Sequence, residues 1–258
     1  MIAVTVQPGH YAQKQLLSRS GLVRWSHGSR FKLARTLVEP FAGRRLLDYG
    51  CGDGTFLAMV EDLFPRALGV DVDGDQIADC ALRFAGAPGI TFLTTDRLDA
   101  PAHARQYEIV VCMEVLEHCP DDIQLAVLGR IADVTAAGAT IVISVPIEIG
   151  PTLAAKQAAR ALVALGGLKE YSTRERYAPA ELLRMVFASA DTPFTREEYA
   201  GIARGGRSSR FTGHKGFNWR RLQRAIEKSF TVERRLFSPM PVLGSLLNSQ
   251  VWFICRKR

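Results

Sequence analysis

The sequence predicts an α/β fold, a mostly parallel sheet with helices on both faces. Three observations predict it. Short β-rich runs alternate with helical runs between residues 45 and 146. A glycine cluster, Gly50, Gly52 and Gly54, stands where the first strand turns into the first helix. Open α/β sheets bind ligands at such strand ends. The tail adds a helix, Asn218–Ser229, and two β-rich runs, Thr231–Phe237 and Gln250–Cys255, which are placed to pair as an antiparallel edge.

The elements follow in order. Residues 10–40 read as helical, with the aromatic-basic interruption Leu22–His27, and Pro40 and Gly43 close the region. Arg45–Tyr49 is a short strand, and Thr55–Phe64 has helical spacing and is followed by Pro65. Ala67–Val72 is an apolar strand ending in acids, Gln76–Phe84 a helix and Ile90–Leu93 a strand. Tyr107–Met113 is rich in Val and Ile, Asp121–Ala136 reads as a helix with Gly138 just beyond it, and Thr140–Val145 is a β-branched run. The rhythm then breaks. Leu153–Leu165 and Pro179–Ser189 read as helices, and Ala203–Gly213, rich in Gly, Ser and Arg, reads as a loop.

With 258 residues, the chain fits one α/β domain carrying an added cap. Its 47% hydrophobic and 23% charged residues exclude wholesale disorder. The longest apolar stretches, Ile141–Val145 and Pro239–Leu247, are too short to span a bilayer as helices. No secretory signal pattern is visible in Met1–Gln15, and a cytoplasmic location is expected. The five cysteines are scattered and form no C-x-x-C pair, which argues against a disulfide framework and a structural zinc site. Charge is divided unevenly. Residues 1–150 hold 13 Lys+Arg against 18 Asp+Glu, and residues 151–258 hold 20 against 8. The second part is suited to an anionic partner, or simply presents a solvated basic face.

The glycine cluster is specific in its spacing. A dinucleotide fingerprint needs a third glycine one residue later, where Thr55 stands, and no G-K-[ST] follows to make a phosphate loop. The run Asp48-Tyr49-Gly50-Cys51-Gly52-Asp53-Gly54 instead resembles the first motif of the class I S-adenosylmethionine-dependent methyltransferases, of the type 11/12-like kind. Gly69–Asp73 resembles their second-strand end, Leu93–Asp96 their adenine-side turn, and Tyr107–His118 their fourth strand and the loop after it. The resemblance covers about residues 44–146 and then 217–258. It implies a Rossmann-like seven-stranded sheet and S-adenosylmethionine as methyl donor. It also implies Asp48, Gly50, Gly52, Gly54, Asp71, Asp96, Met113 and Glu114 as cofactor-binding residues, with Asp71 on the ribose hydroxyls and Asp96 beside the adenine amino group. Cys51 reads as a small buried cysteine rather than a nucleophile.

Acceptor chemistry must come from elsewhere. The donor is already activated, so the protein has to align a nucleophile and exclude water. A hydroxyl also needs a base or a metal to lower its pKa. Glu114, Glu117 and His118 share one face if their segment is helical, and His214 precedes the last helix. This set resembles the acceptor side of two groups. They are the ubiquinone-pathway O-methyltransferases and the small-RNA 3′-terminal 2′-O-methyltransferases, which hold a divalent metal with two Glu and two His. The implied catalytic residues are His118, Glu117 and His214, and the implied metal ligands are Glu114, Glu117, His118 and His214. Mixed carboxylate and imidazole donors favour a transition metal or zinc. A metal-free reading keeps His118 as general base or acceptor-orienting residue, and a third gives these residues a packing role. His10 and His27 receive no role.

The expected organisation is an N-terminal helical cap (1–40), a cofactor-binding core (41–149 and 214–258) and a helical acceptor-binding insertion (150–213). The insertion carries Lys169, Tyr171, Arg174, Arg176, Tyr177, Arg196, Tyr199, Arg204, Arg207 and Arg210, suited to phosphate, carboxylate or ring contacts. Residues 237–247 are apolar for a connection. They read as core packing, a dimer contact, or a peripheral graze of a membrane that carries the acceptor. The expected activity is O-methylation of a small or lipid-linked molecule. The alternatives are an RNA methyltransferase, weakened by the lack of an RNA-binding module, and a non-catalytic S-adenosylmethionine-binding protein.

Overall fold

The computed structural model describes residues 9–11, 21–165, 177–203 and 207–258. Lys169, Tyr171, Arg174, Arg176 and Arg204 lie outside them, as does the helical reading of residues 12–20. The described strands are β1 (Leu46–Tyr49), β2 (Ala67–Asp71), β3 (Ile90–Thr94), β4 (Tyr107–Met113), β5 (Thr135–Pro146), β6 (Glu198–Ala203), β7 (Arg207–Thr212), β8 (Phe230–Ser238) and β9 (Gln250–Lys257). The helices are α1 (Gly21–Val38), α2 (Thr55–Met59), α3 (Gly74–Arg83), α4 (Asp121–Val134), α5 (Pro151–Leu165), α6 (Pro179–Val186) and α7 (Trp219–Ser229).

One sheet has the order β3-β2-β1-β4-β5-β9-β8. Its first five strands are parallel, and β9 and β8 run antiparallel at the edge. This is the seven-stranded arrangement expected from the sequence. Strand order reverses between β1 and β4, so a crevice opens beyond their carboxyl ends. The central strands β1 and β4 and the added strand β9 are buried on both faces, and β9 divides its side chains between them. Val251, Phe253 and Cys255 join one core with α4 and α7, while Trp252 and Ile254 join another with α1 and α3. That alternation is the two-residue period of a strand.

Local departures from expectation have local causes. The helix expected over Thr55–Phe64 stops at Met59. The Arg35 guanidinium takes the Met59 carbonyl and both oxygens of the Asp62 carboxylate, and Leu63 gives its carbonyl to the Gly43 N–H. Those long-range bonds replace the helical ones. The expected loop over Ala203–Gly213 is largely strand: β7 pairs with β6, with Tyr199 opposite Phe211. Gly201 leaves room for the Phe211 ring, because an added Cβ there would come 2.6 Å from it. Gly138 is not a helix stop. It sits inside β5 at a φ of +68°, where pairing with β4 slips from Tyr107↔Thr135 to Ile109↔Thr140. All five cysteines are free and buried. Among the described residues, no helix is long and apolar enough to cross a membrane.

Candidate active site

The turn from β1 to α2 builds the first half of the site. Gly50, Gly52 and Gly54 all have positive φ, at 78°, 53° and 72°. Gly50 is required twice over, since a Cβ there would lie 2.2 Å from a Val115 methyl. Asp71, at the end of β2, fixes the loop: its carboxylate accepts from the Gly52 N–H at 2.9 Å and the Asp73 N–H at 3.0 Å. Asp73 then caps α3 by accepting from the Asp75 and Gln76 N–H groups.

A cavity of about 190 Å³ lies against this loop. Its walls include Asp48, Gly50, Gly52, Asp53, Gln76, Met113 and Glu114, with Tyr11, Arg30 and Phe31 closing it from the N-terminal side. Asp71 and Asp96 are not among the wall residues. Asp71 braces the loop from behind, and Asp96 is exposed in the turn after β3. The roof is tied down by charge. The Tyr11 N–H donates to Asp53 at 2.7 Å, and Arg30 bonds the Tyr11 hydroxyl and pairs with Glu114 at 3.2 Å. Glu114 holds a left-handed φ of 57°, which is costly for a non-glycine residue, and its second carboxylate oxygen is buried without a partner among the described residues.

Burial pushes the Asp48 carboxyl up to about 8, with Asp71 adding to the effect. The sign follows directly. Folded Asp48 keeps a proton that the unfolded chain releases near pH 4, so stability is full below that pH and falls as pH rises towards about 8. Asp48→Asn removes this loss. In urea unfolding across pH, the variant should match wild type near pH 4 and exceed it progressively to pH 8, by an amount on the order of 5 kcal/mol at most. Parallel stability curves would contradict the assignment.

The second half of the site follows β4. Leu116–His118 form a single 3-10 turn, and the left-handed Glu114 precedes it. The shared helical face expected for Glu114, Glu117 and His118 therefore does not form. Glu114 turns to Arg30 in the cavity roof, and the expected four-ligand set is corrected to three. Glu117, His118 and His214 offer one ligand atom each within 4.8 Å of one another. The His118 and His214 Nε2 atoms face each other at 3.3 Å. Glu117 is fully buried, and neither of its oxygens has a hydrogen-bond partner among the described residues. Burial and then Glu114 push its carboxyl well above the usual range. Burial and then His214 push the His118 imidazole down to about 4, so it is neutral at physiological pH.

Two further residues complete this half: Arg196, expected from the sequence only as an acceptor contact, and Glu148, which sequence reasoning passed over. Arg196 donates to the Cys119 carbonyl at 3.0 Å, the Gly213 carbonyl at 2.9 Å and the Glu117 carbonyl. It therefore staples the His118 turn to the segment carrying His214. Arg196→Met should remove one donor from each of three carbonyls, leaving the Glu117 carbonyl to Thr212 and the Cys119 carbonyl to Gln124, cost about 2–4 kcal/mol in denaturant unfolding, and loosen the His118–His214 pair. An unchanged midpoint would contradict the staple. The other residue is Glu148, just past β5, whose carboxylate accepts from Lys156 at 3.0 Å and lies 3.8 Å from His214 Nδ1. An acid beyond the carboxyl end of a central strand was a readable signal. Arg30 was less so, lying outside every motif.

Comparison with known proteins agrees with this geometry. A family model described as a methyltransferase domain matches residues 26–191. An uncharacterized methyltransferase of Mycobacterium bovis (strain BCG / Pasteur 1173P2) is 32% identical over 116 residues, 45% of this chain and 44% of that protein. A ubiquinone biosynthesis O-methyltransferase of Bordetella avium (strain 197N) is 35% identical over 100 residues, 36% of this chain and 39% of that protein. The chain thus matches less than half the length of these curated relatives. The crystal structure of the PH0226 protein from Pyrococcus horikoshii OT3 shares the fold, with a TM-score of 0.59 at 15% identity over 98% of this chain and 100% of that one.

Proposed function

The chain belongs to the class I S-adenosylmethionine-dependent methyltransferases, and from that premise we propose that it methylates an oxygen of a small or lipid-linked acceptor held at Glu117, His118 and His214. The observation that carries the acceptor side is the buried, unpartnered Glu117 carboxylate beside two imidazoles whose Nε2 atoms converge. A buried carboxylate without partners costs several kcal/mol unless a ligand repays it. Such a cluster suits a hydroxyl acceptor, whose proton must leave as the methyl group arrives.

The cofactor reading rests on the cradle. Positive-φ glycines, the Asp71 brace, the unpartnered Glu114 oxygen and a cavity of about 190 Å³ fit a ligand with ribose hydroxyls and an amino-acid end. When bound, S-adenosylmethionine supplies a methyl group on a cationic sulfur, and transfer to oxygen leaves the neutral thioether. The family resemblance assigns Asp71 to the ribose hydroxyls and Asp96 to the adenine end, and Asp71 braces the glycine turn from which it would reach them. Arg30, Glu114 and Asp48 face the cavity with charge or hydrogen-bonding capacity. Tyr11 and Phe31 exclude water from above.

Glu117, His118 and His214 also fit a divalent metal. Two imidazoles and a carboxylate suit zinc or a transition metal, and the orphaned Glu117 oxygens mark an unmet need. Such a metal would lower the pKa of an acceptor hydroxyl. Without one, His118, neutral at physiological pH, takes the hydroxyl proton at Nε2 as methyl transfer proceeds. The ubiquinone biosynthesis O-methyltransferase of Bordetella avium favours transfer to an oxygen. Residues 240–247 favour a lipid-linked one. Val242 is 97% exposed, Leu246 and Leu247 more than half exposed, and the segment adjoins the carboxyl end of β5.

The test is labelled-methyl transfer to catechols, prenylated phenols in anionic vesicles, free sugars and RNA 3′ ends, each with and without EDTA. Transfer to a hydroxyl in the first two classes is expected. Transfer to RNA alone would replace the acceptor reading, and no transfer with tight cofactor binding would favour a non-catalytic protein.

A further inference from the structure

Among the described residues, Glu148 is the carboxylate that reaches His214 on the ring nitrogen turned away from His118. It follows β5, between Ile147 and Ile149, both fully buried or nearly so, and its own residue is 4% exposed. The Ile147 N–H donates to the Ser249 carbonyl and holds the segment to the start of β9. Its Oε1 meets two groups. Lys156, from α5, donates to it at 3.0 Å and also to the Ile147 carbonyl at 2.8 Å. On the other side His214 presents Nδ1 at 3.8 Å, while the opposite ring nitrogen, Nε2, faces His118.

The ring orientation has a chemical consequence. At 3.8 Å the Glu148–His214 contact is electrostatic rather than hydrogen-bonded. A carboxylate beside Nδ1 still favours the tautomer with the proton on Nδ1 and the lone pair on Nε2. Such contacts tighten when the site is engaged. The lone pair then points at the place where Glu117, His118 and the acceptor meet. With the proton on Nε2 instead, His214 could neither ligate a metal there nor take a hydroxyl proton. A carboxylate behind a histidine is the usual means of fixing this choice.

We propose that Glu148 is a positioning residue that holds His214 as the Nδ1–H tautomer, and that Lys156 from the cap helix anchors Glu148 in that role. The inference rests on the proposed acceptor site and adds a residue to it. A competing explanation is that Glu148 only neutralises Lys156, and the two differ in what they predict for His214.

The test uses the full chain, labelled with 15N, and long-range proton–nitrogen spectra of its five histidine rings. The His214 signals are assigned by their disappearance in His214→Gln. Wild type should show a protonated Nδ1 and an unprotonated Nε2 on His214. Glu148→Gln should move most of that population to the Nε2–H form, and Lys156→Met, which frees Glu148 from its anchor, should produce a smaller shift in the same direction together with lower thermal stability. Zinc titration gives a second reading, with affinity falling tenfold to a hundredfold in Glu148→Gln. An Nε2–H pattern in wild type, or an unchanged pattern in folded Glu148→Gln, overturns the proposal. If Glu148→Gln fails to fold, Glu148→Asp keeps the charge but draws it away, and it should show an intermediate tautomer mixture. No spectrum here depends on methyl transfer, so an inactive enzyme with the expected tautomers would count against the acceptor reading and not against Glu148.

Discussion

Asp71→Ala should lower S-adenosylmethionine affinity by at least about a hundredfold while the protein stays folded. Asp71 has two tasks. Its oxygens accept from the Gly52 and Asp73 N–H groups, which sets the glycine turn, and they retain lone pairs for two ribose hydroxyls. Hydrogen bonds to a charged acceptor are worth about 1.5–3 kcal/mol each, so losing two costs about 3–6 kcal/mol of binding. Folding is better protected, because β2 is held by full parallel registers with β1 and β3. Calorimetric titration checks the affinity, and circular dichroism checks the fold. Asp71→Asn separates the two tasks, since its amide keeps one acceptor oxygen and should lose less. Wild-type affinity in Asp71→Ala would mean the ribose contacts lie elsewhere.

Glu117→Gln should abolish tight zinc binding and leave the protein at least as stable as wild type. A carboxylate buried without partners is a liability to folding, and its raised pKa expresses that cost. For such a group the folded chain retains a proton that the unfolded chain releases, so stability declines with rising pH. The neutral amide does not carry that cost. The variant should gain about 1–3 kcal/mol in urea unfolding at mildly alkaline pH. Its zinc isotherm should weaken at least about a hundredfold, since a ligand oxygen is lost. Loss of stability together with unaltered zinc binding would assign Glu117 to packing. Asp48, another buried acid with a raised pKa near the cavity, carries the same cost to stability.

What was legible in the sequence followed from features that act locally. Val- and Ile-rich runs fixed the central strands, and the glycine spacing located the turn between β1 and α2. The expected Thr231–Phe237 and Gln250–Cys255 pair forms as β8 and β9. What was not legible depends on contacts distant in sequence. Nothing near Thr55 announces that Arg35 will end α2 by taking the Met59 carbonyl. The composition of residues 207–212 reads as loop because only Phe211 is large and apolar, and the bare Gly201, diagonal to it on the neighbouring strand, is what gives it a seat.

The site divides in the same way. The resemblance carried by E-x-x-E-H and the distant His214 implied four converging ligands, but a left-handed backbone at Glu114 turns that residue towards Arg30. The acid joins the cofactor cavity and leaves the acceptor cluster to Glu117, His118 and His214. The partners that shape this cluster, Arg196 and Glu148, come from segments 79 and 31 residues beyond Glu117. Only the folded sheet edge brings them together.

The most direct test of the central claim is calorimetric titration of the purified chain with S-adenosylmethionine and, separately, with its demethylated product. One saturable site per chain, lost in Asp71→Ala, is the result predicted by the glycine cradle and the cavity beside it. Folded protein that gives no binding heat with either ligand would contradict it.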